Sequence, residues 1–409
     1  MSEVSFVGWE IRFEDDEDPE TYNFSPEIVD IAMGQDIKSS IFMCSIKYNV
    51  DSSLTKYFSK QHSGTLTIIN KMLVEQEEIG EMFIAHIQSV SNSGIMHERD
   101  EDNTDANTTS IPVKYMCAES VKLVNGRVGG IYENKKLEDI LADLFSKTGC
   151  SIPFDLEKPN NQQTYDTICI PEQSFVSAVR YISQHFGLYD AMTVTFGQTF
   201  TDEEMKWTLS NINKLEGEDI ELNLIPYEHT KTGTEGDMED RKYFTYMPIN
   251  IQNNMQQIVR KIPKMIKFVS FDNDKFFKRK DVVFKDVIDS ANFLVSSDQF
   301  DLLETETQLF TDSRLEVSDY SIKDWVQRIG MNAFNIPVII IPNPFKIKHF
   351  LIGNKIQVKS QVESYVENDI KLLIAGWNLR IQQGPGGNGG GAYRATLAVR
   401  TIAASYLQK

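Results

Sequence analysis

Apolar and polar positions alternate, switch to a helical spacing, and then alternate again along this chain. From residue 1 to about 125 the period is near two. Val4–Ile11, Gly64–Ile69, Phe83–Ile87 and Val113–Val124 are rich in β-branched residues and separated by Asp and Gly clusters, which predicts strands. Ser53–Phe58 is long enough for one or two helical turns. From about 126 to 215 the spacing becomes helical. Leu137, Ile140, Leu141, Leu144 and Phe145 share one face, and Gly149 stands where a left-handed cap would end the helix. Phe175, Val179, Ile182 and Phe186 mark a second helix closed by Gly187, and strands at 193–196 and 206–209 follow. This middle section reads as a small α+β unit.

From 216 onward strands return. Met265–Phe271 and Val282–Phe284 read as strands, and 286–312 mixes an apolar and a charged half without a clear period. Ser321 opens a helix whose Ile322, Trp325, Val326, Ile329 and Ala333 share a face, with Ser321 and Asp324 spaced as a capping box. The final strands are expected at 338–341, 355–359, 371–382 and 393–401. The last two are the cleanest. Trp377, Leu379 and Ile381 oppose Asn378, Arg380 and Gln382, while Ala395, Leu397 and Val399 oppose Arg394, Thr396 and Arg400. One packed and one wet face of an antiparallel sheet require that pattern. Gly384–Gly391 between them lacks the Lys and the following helix of a phosphate cradle, so it reads as a hairpin tip. The fold class expected is mainly β with an α+β insert.

The 409 residues suit two to four compact units, and 41% hydrophobic residues supply a core. A formal charge of −18 argues against a protein that reads DNA, since phosphate binding needs clustered bases. The four cysteines, Cys44, Cys117, Cys150 and Cys169, form no Cys-x-x-Cys pair and read as buried reduced thiols. His62, His86, His97, His185, His229 and His349 stand singly, and no hydrolase, metalloprotease or nucleotide-binding motif occurs. The acidic run His97–Asp105 lacks the glycine and terminal Glu of a calcium loop. No catalytic, cofactor-binding or metal-binding residues are assigned, no cofactor is expected, and the chain is read as a non-enzyme. It shows no signal peptide and no apolar run long enough to span a bilayer, so no direct membrane insertion is expected.

The element order itself resembles a family. A strand-rich section, the Leu137-to-Gly149 and Phe175-to-Gly187 helices, and a second strand-rich section with the Ser321–Phe334 helix occur in sequence. Two stretches carry most of the likeness: Ile258–Pro263 running into Ile266–Phe271 and Asp286–Ser290, and the helix followed by Val338–Ile341 and Leu351–Val358. This order is similar to the baseplate hub proteins of contractile-tailed phages, the superfamily of the T-even hub subunit, late control protein D and the hub part of type VI spikes. The long glycine-rich tip departs from it.

The resemblance implies two tube-type antiparallel β-barrels, at 1–125 and 216–409 with an insertion around 272–320, flanking the α+β domain at 126–215. It implies a homotrimer whose six barrels form a pseudo-sixfold ring. Its partners would be a tail tube protein, a central spike protein, a tape-measure protein and other baseplate proteins. DNA would only pass through the channel, and part of the acidic excess is expected to line it. The implied location is the virion, after assembly in the host cytoplasm. A tail-tip peptidoglycan hydrolase using paired carboxylates, or another tube or adaptor protein of the tail, is the alternative reading.

Overall fold

The computed structural model describes residues 9–15, 28–37, 39–50, 63–70, 81–90, 109–198, 206–215, 217–224, 242–245, 261–270, 278–287, 302–311, 317–333, 338–341, 346–360, 370–383 and 393–403. The expected Ser53–Phe58 turns, the acidic run His97–Asp105 and the hairpin tip Gly384–Gly391 lie outside the described residues, as do His62 and His229. The protein is mainly β, with several sheets and a few helices.

Six strands precede the helical section: β1 (Trp9–Asp15), β2 (Ile28–Asp36), β3 (Ser39–Val50), β4 (Ser63–Asn70), β5 (Glu81–Val90) and β6 (Thr109–Cys117). The strand expected over Val113–Val124 stops at Cys117, where α1 (Ala118–Asn125) begins. Leu123 and Ser120 of α1 are buried, so tertiary packing overrides the local β preference there.

The middle section contains β7 (Arg127–Lys136), α2 (Leu137–Lys147), β8 (Phe154–Leu156), β9 (Thr164–Ser174), α3 (Phe175–His185), β10 (Thr193–Gln198) and β11 (Lys206–Asn211). Both helices bury the apolar faces that their spacing marked. Gly149 follows the C-cap of α2 at φ +64, a conformation in which a side chain is strained. Phe145, Phe154, Phe175 and Trp207 stack in one cluster with ring centroids 4.5–5.7 Å apart. Each such ring contributes roughly 1.5–3 kcal/mol by leaving water.

Glu119 ties α1 to the turn after α2. Its carboxylate accepts from the Ser151 N–H and from Lys122 Nζ, both at 2.6 Å, and Lys122 also donates to the Gly149 carbonyl at 3.2 Å. Burial pushes the Glu119 carboxyl up, but these hydrogen bonds outweigh it and hold the pKa at about 2, below the ordinary 4.5. The ionised form is therefore favoured by folding, and that stability is present above about pH 4.5 and lost as pH falls toward 2. Urea midpoints measured across this window should fall with acid in the native protein and fall less in Glu119→Gln. Equal acid slopes would show that the Glu119 contacts add nothing.

The third section runs β12 (Asp219–Leu224), β13 (Lys242–Thr245), β14 (Met265–Ser270), β15 (Lys278–Val283), α4 (Phe284–Val287), β16 (Glu306–Thr311), α5 (Asp319–Ala333), β17 (Val338–Ile341), β18 (Lys355–Ser360), β19 (Ile370–Gln383) and β20 (Tyr393–Ala403). β14, β15 and β16 form a small sheet of their own. That sheet and α5 share a core with residues 191–215, including Val194, Phe196, Phe268, Phe284 and Val326.

The remaining six strands of this section join β1–β6 in a twelve-stranded sheet. Numbered by chain order within each half, the first six strands lie 1-4-5-6-3-2 and the last six 2-1-4-5-6-3. Both are cuts of one circular order, and β13 lies beside β17, where the second circle would close. Strand directions also agree, apart from the first strand: β1 is antiparallel to β4, whereas β12 is parallel to β18. The expectation of all-antiparallel strands fails at β12, which is parallel to β13 as well. Asn354 anchors the start of β12. Its Oδ1 accepts from the Glu218 N–H at 2.9 Å, and its Nδ2 donates to the carbonyls of Lys348 and His349, each at 3.1 Å.

Candidate functional site: two interaction faces

The halves of the large sheet meet where β2 pairs antiparallel with β19, Asp30–Asp36 against Gln382–Gly376. β19 is long enough to serve two partners on one side, β18 along 370–373 and β2 along 376–382, with β20 along the other. A bulge at Ala375 separates the two registers. Gly34 allows the close approach. A Cβ there would lie 2.6 Å from the Trp377 carbonyl oxygen.

Because side chains alternate, the seam has two faces. On one, Ile31, Met33 and Gln35 of β2 lie opposite Ile381, Leu379 and Trp377 of β19, and all are buried. Ile46, Cys44, Val113 and Tyr115 continue this layer across β3 and β6, and Leu397 and Val399 across β20. Tyr48 and Tyr115 satisfy each other inside it, with their hydroxyl oxygens 2.8 Å apart. The other face is polar. Lys114, Ser45, Ala32, Arg380 and Thr396 form one cross-strand row, and Gly34, Asn378 and Ala398 the next. The small side chains floor a groove of about 480 Å³.

Among the described side chains, charges on the polar face at this seam are Lys47, Lys114, Arg380 and Arg400 against Asp30 and Asp36. Arg380 donates to Asp30 at 3.0 and 3.3 Å, and Arg400 pairs with Asp36.

The second face is the joint between α3 and α5. The helix start differs from the sequence expectation. Ser318 caps α5, its Oγ accepting from the Ser321 N–H at 3.1 Å. Ser321 and Asp324 are drawn into tertiary contacts instead of a capping box. Ser321 Oγ donates to the Gln184 carbonyl, Trp325 Nε1 donates to the same oxygen at 3.0 Å, and Ser318 Oγ donates to the Phe186 carbonyl at 2.6 Å. The first turn of α5 thus satisfies the orphan carbonyls ending α3. Asp324 is fully buried. Its carboxylate accepts from the Thr193 N–H at 2.7 Å, Ser183 Oγ at 3.1 Å and Arg328 Nε at 2.7 Å. Arg328 Nη2 also donates to the Thr193 carbonyl at 2.7 Å.

The residues singled out by type have separate surroundings. His349 is buried in the turn that Asn354 braces, and His185 lies against the Tyr181 ring with centroids 4.4 Å apart. His86 falls in β5. Cys44 and Cys117 are buried, but Cys150 is half-buried and Cys169 exposed, which corrects the expectation of four buried thiols. Cys169 sits on the outward side of the two-stranded β7–β9 ribbon, opposite the exposed Ile131. Among the described residues, no three His, Cys, Asp or Glu side chains gather as a metal site, and no helix is long and apolar enough to cross a membrane.

A family model described as Bacteriophage PBS1 gene 109 protein matches residues 41–317. No curated protein matches the sequence. Among solved structures, the chain is similar to a 43 kDa tail protein of prophage MuSo2 from Shewanella oneidensis, at 11% identity and a TM-score of 0.56, covering 97% of this chain and 99% of that one. It is also similar to a tail protein from Neisseria meningitidis MC58, at 8% identity and a TM-score of 0.55, covering 97% and 96%. A PdpA–VgrG complex gives 11% identity and a TM-score of 0.50, covering 97% of this chain and 64% of that one.

Proposed function

The chain belongs to the family of the Bacteriophage PBS1 gene 109 protein, and on that premise we propose that it is a structural, non-enzymatic subunit of a phage tail, acting as the baseplate hub. In this reading three copies form a ring of six like strand sets. The ring joins a sixfold tail tube to a threefold central spike, as a component of the virion, and leaves a channel for DNA and the tape-measure protein. The section boundaries near 125 and 215 separate the two strand sets from the α+β unit.

One observation carries the reading: two six-stranded halves with one circular strand order are fused through β2 and β19 into a single wall with an apolar and a polar side. A repeated order inside one chain is what converts threefold into sixfold symmetry, because each subunit then fills two of six places. Pairing β2 with β19 also removes two open edges that would otherwise invite misassembly. The polar side would face the channel, where Asp30 and Asp36 pair with Arg380 and Arg400.

The test is stoichiometry. Copies per purified particle, counted by quantitative mass spectrometry against a tube protein present in sixfold rings, should number three. Six copies would place the chain among the tube or adaptor proteins, and lysis of peptidoglycan that is abolished by a single carboxylate substitution would overturn the structural role.

A further inference from the structure

We propose that the cleft between α3 and α5 is a docking site for an acidic segment of a partner protein, seating a carboxylate carried on an apolar stem. The cleft encloses about 320 Å³. Val179, Met192 and Met331 give it apolar walls, and Arg180 and Arg328 supply its charge. Among the described residues no carboxylate lines it, in a chain where Asp and Glu number 59 against 41 Lys and Arg.

Three donors in the cleft lack partners among the described residues. Arg180, on the exposed side of α3, has no hydrogen-bond or ion-pair partner among the described residues. Arg328 uses Nε and Nη2 on Asp324, Ser183 and Thr193, which fixes the plane of its fork and leaves Nη1 without a partner. The Thr193 hydroxyl is buried and unbonded, with the residue only 2% exposed. Leaving a buried hydroxyl unpaired costs free energy in the empty site, and an arriving acceptor would recover it. Asp324 neutralises one guanidinium, so the cleft keeps a net positive charge within an acidic molecule. A fixed guanidinium fork, a second free guanidinium and a hydroxyl suit a carboxylate, and the apolar walls suit a peptide stem better than a bare hydrated anion. The site needs no trimer and stands apart from the hub reading.

A fluorescein-labelled decapeptide of alternating leucine and glutamate is the probe, read by anisotropy on the full chain. It should bind saturably, and the same peptide with lysine for glutamate should not. Arg180→Glu should weaken binding by roughly tenfold or more, as reversal of a contacting charge does, with an unchanged unfolding midpoint because Arg180 is exposed and unpaired. Thr193→Val should weaken it severalfold without loss of stability. No binding up to about 1 mM peptide, corresponding to less than about 4 kcal/mol of affinity, would overturn the proposal. So would equal affinity in Arg180→Glu, or displacement of the peptide by equimolar inorganic phosphate, which would mark a site for small anions.

Discussion

Replacing Asp324 by alanine is expected to lower the free energy of unfolding by roughly 3–5 kcal/mol, the range for breaking one side of a buried ion pair. The carboxylate is fully buried and meets four donor contacts from three residues, two of them 131 and 141 positions away in sequence. Alanine would orphan the Thr193 N–H and the Ser183 hydroxyl and leave Arg328 without its counter-charge. Arg328 keeps 27% of its side chain exposed, so water relieves part of its cost and places the loss near the lower end. Asp324→Asn retains an acceptor for Thr193 and should cost less. In urea titrations the Asp324→Ala, Arg328→Ala double variant should lose less than the sum of its singles. Additive losses, or a loss below about 1 kcal/mol, would mean that the pair does not hold α5 on α3.

Gly187→Ala should be comparably damaging, and Gly149→Ala supplies its control. Both glycines end helices with positive φ, +74 and +64, so an alanine pays a similar backbone strain of about 1–2 kcal/mol at each. Their surroundings differ. Nothing lies within 4 Å of a Cβ built on Gly149, whereas one on Gly187 would sit 2.2 Å from the Ser321 nitrogen and 2.5 Å from the Tyr320 carbonyl carbon. Those are backbone atoms at the start of α5 and cannot swing aside as a side chain would. Overpacking adds roughly 1–3 kcal/mol, so Gly187→Ala should cost about twice what Gly149→Ala does. Equal midpoints for the two variants would show that α5 does not approach α3 this closely in solution.

These sites show what local sequence reveals. The faces of α2 and α3, the Gly149 cap and the alternation in β19 and β20 were legible because each is set by neighbours a few residues apart. The seam was not. Ile28–Asp36 alternates, but nothing local says that it pairs with residues near 380. The start of α5 was misread for a related reason. Ser321 and Asp324 have the spacing of a capping box, yet Ser318 has an equally good claim three residues earlier. The choice is made by Gln184, Ser183 and Thr193, whose positions only the fold supplies. The start of β12 is likewise anchored by Asn354, more than a hundred residues downstream. The α3–α5 cleft could have been suspected only from Arg180, an isolated base on an otherwise well-patterned helix.

The pairing of β2 with β19 also sets a clock on synthesis. Asp36 leaves the ribosome well before its partner strand, which begins at Ile370, and translation proceeds at roughly 5–20 residues per second. β2 therefore waits on the order of tens of seconds for β19, far longer than hairpins need to form. During that interval the nascent first half presents an unpaired strand on every polysome that makes it. Neighbouring nascent chains offer the same edge, so slowed translation anywhere between Asp36 and Gln382 should raise aggregation by lengthening that interval, whereas slowing after Gln382 should not.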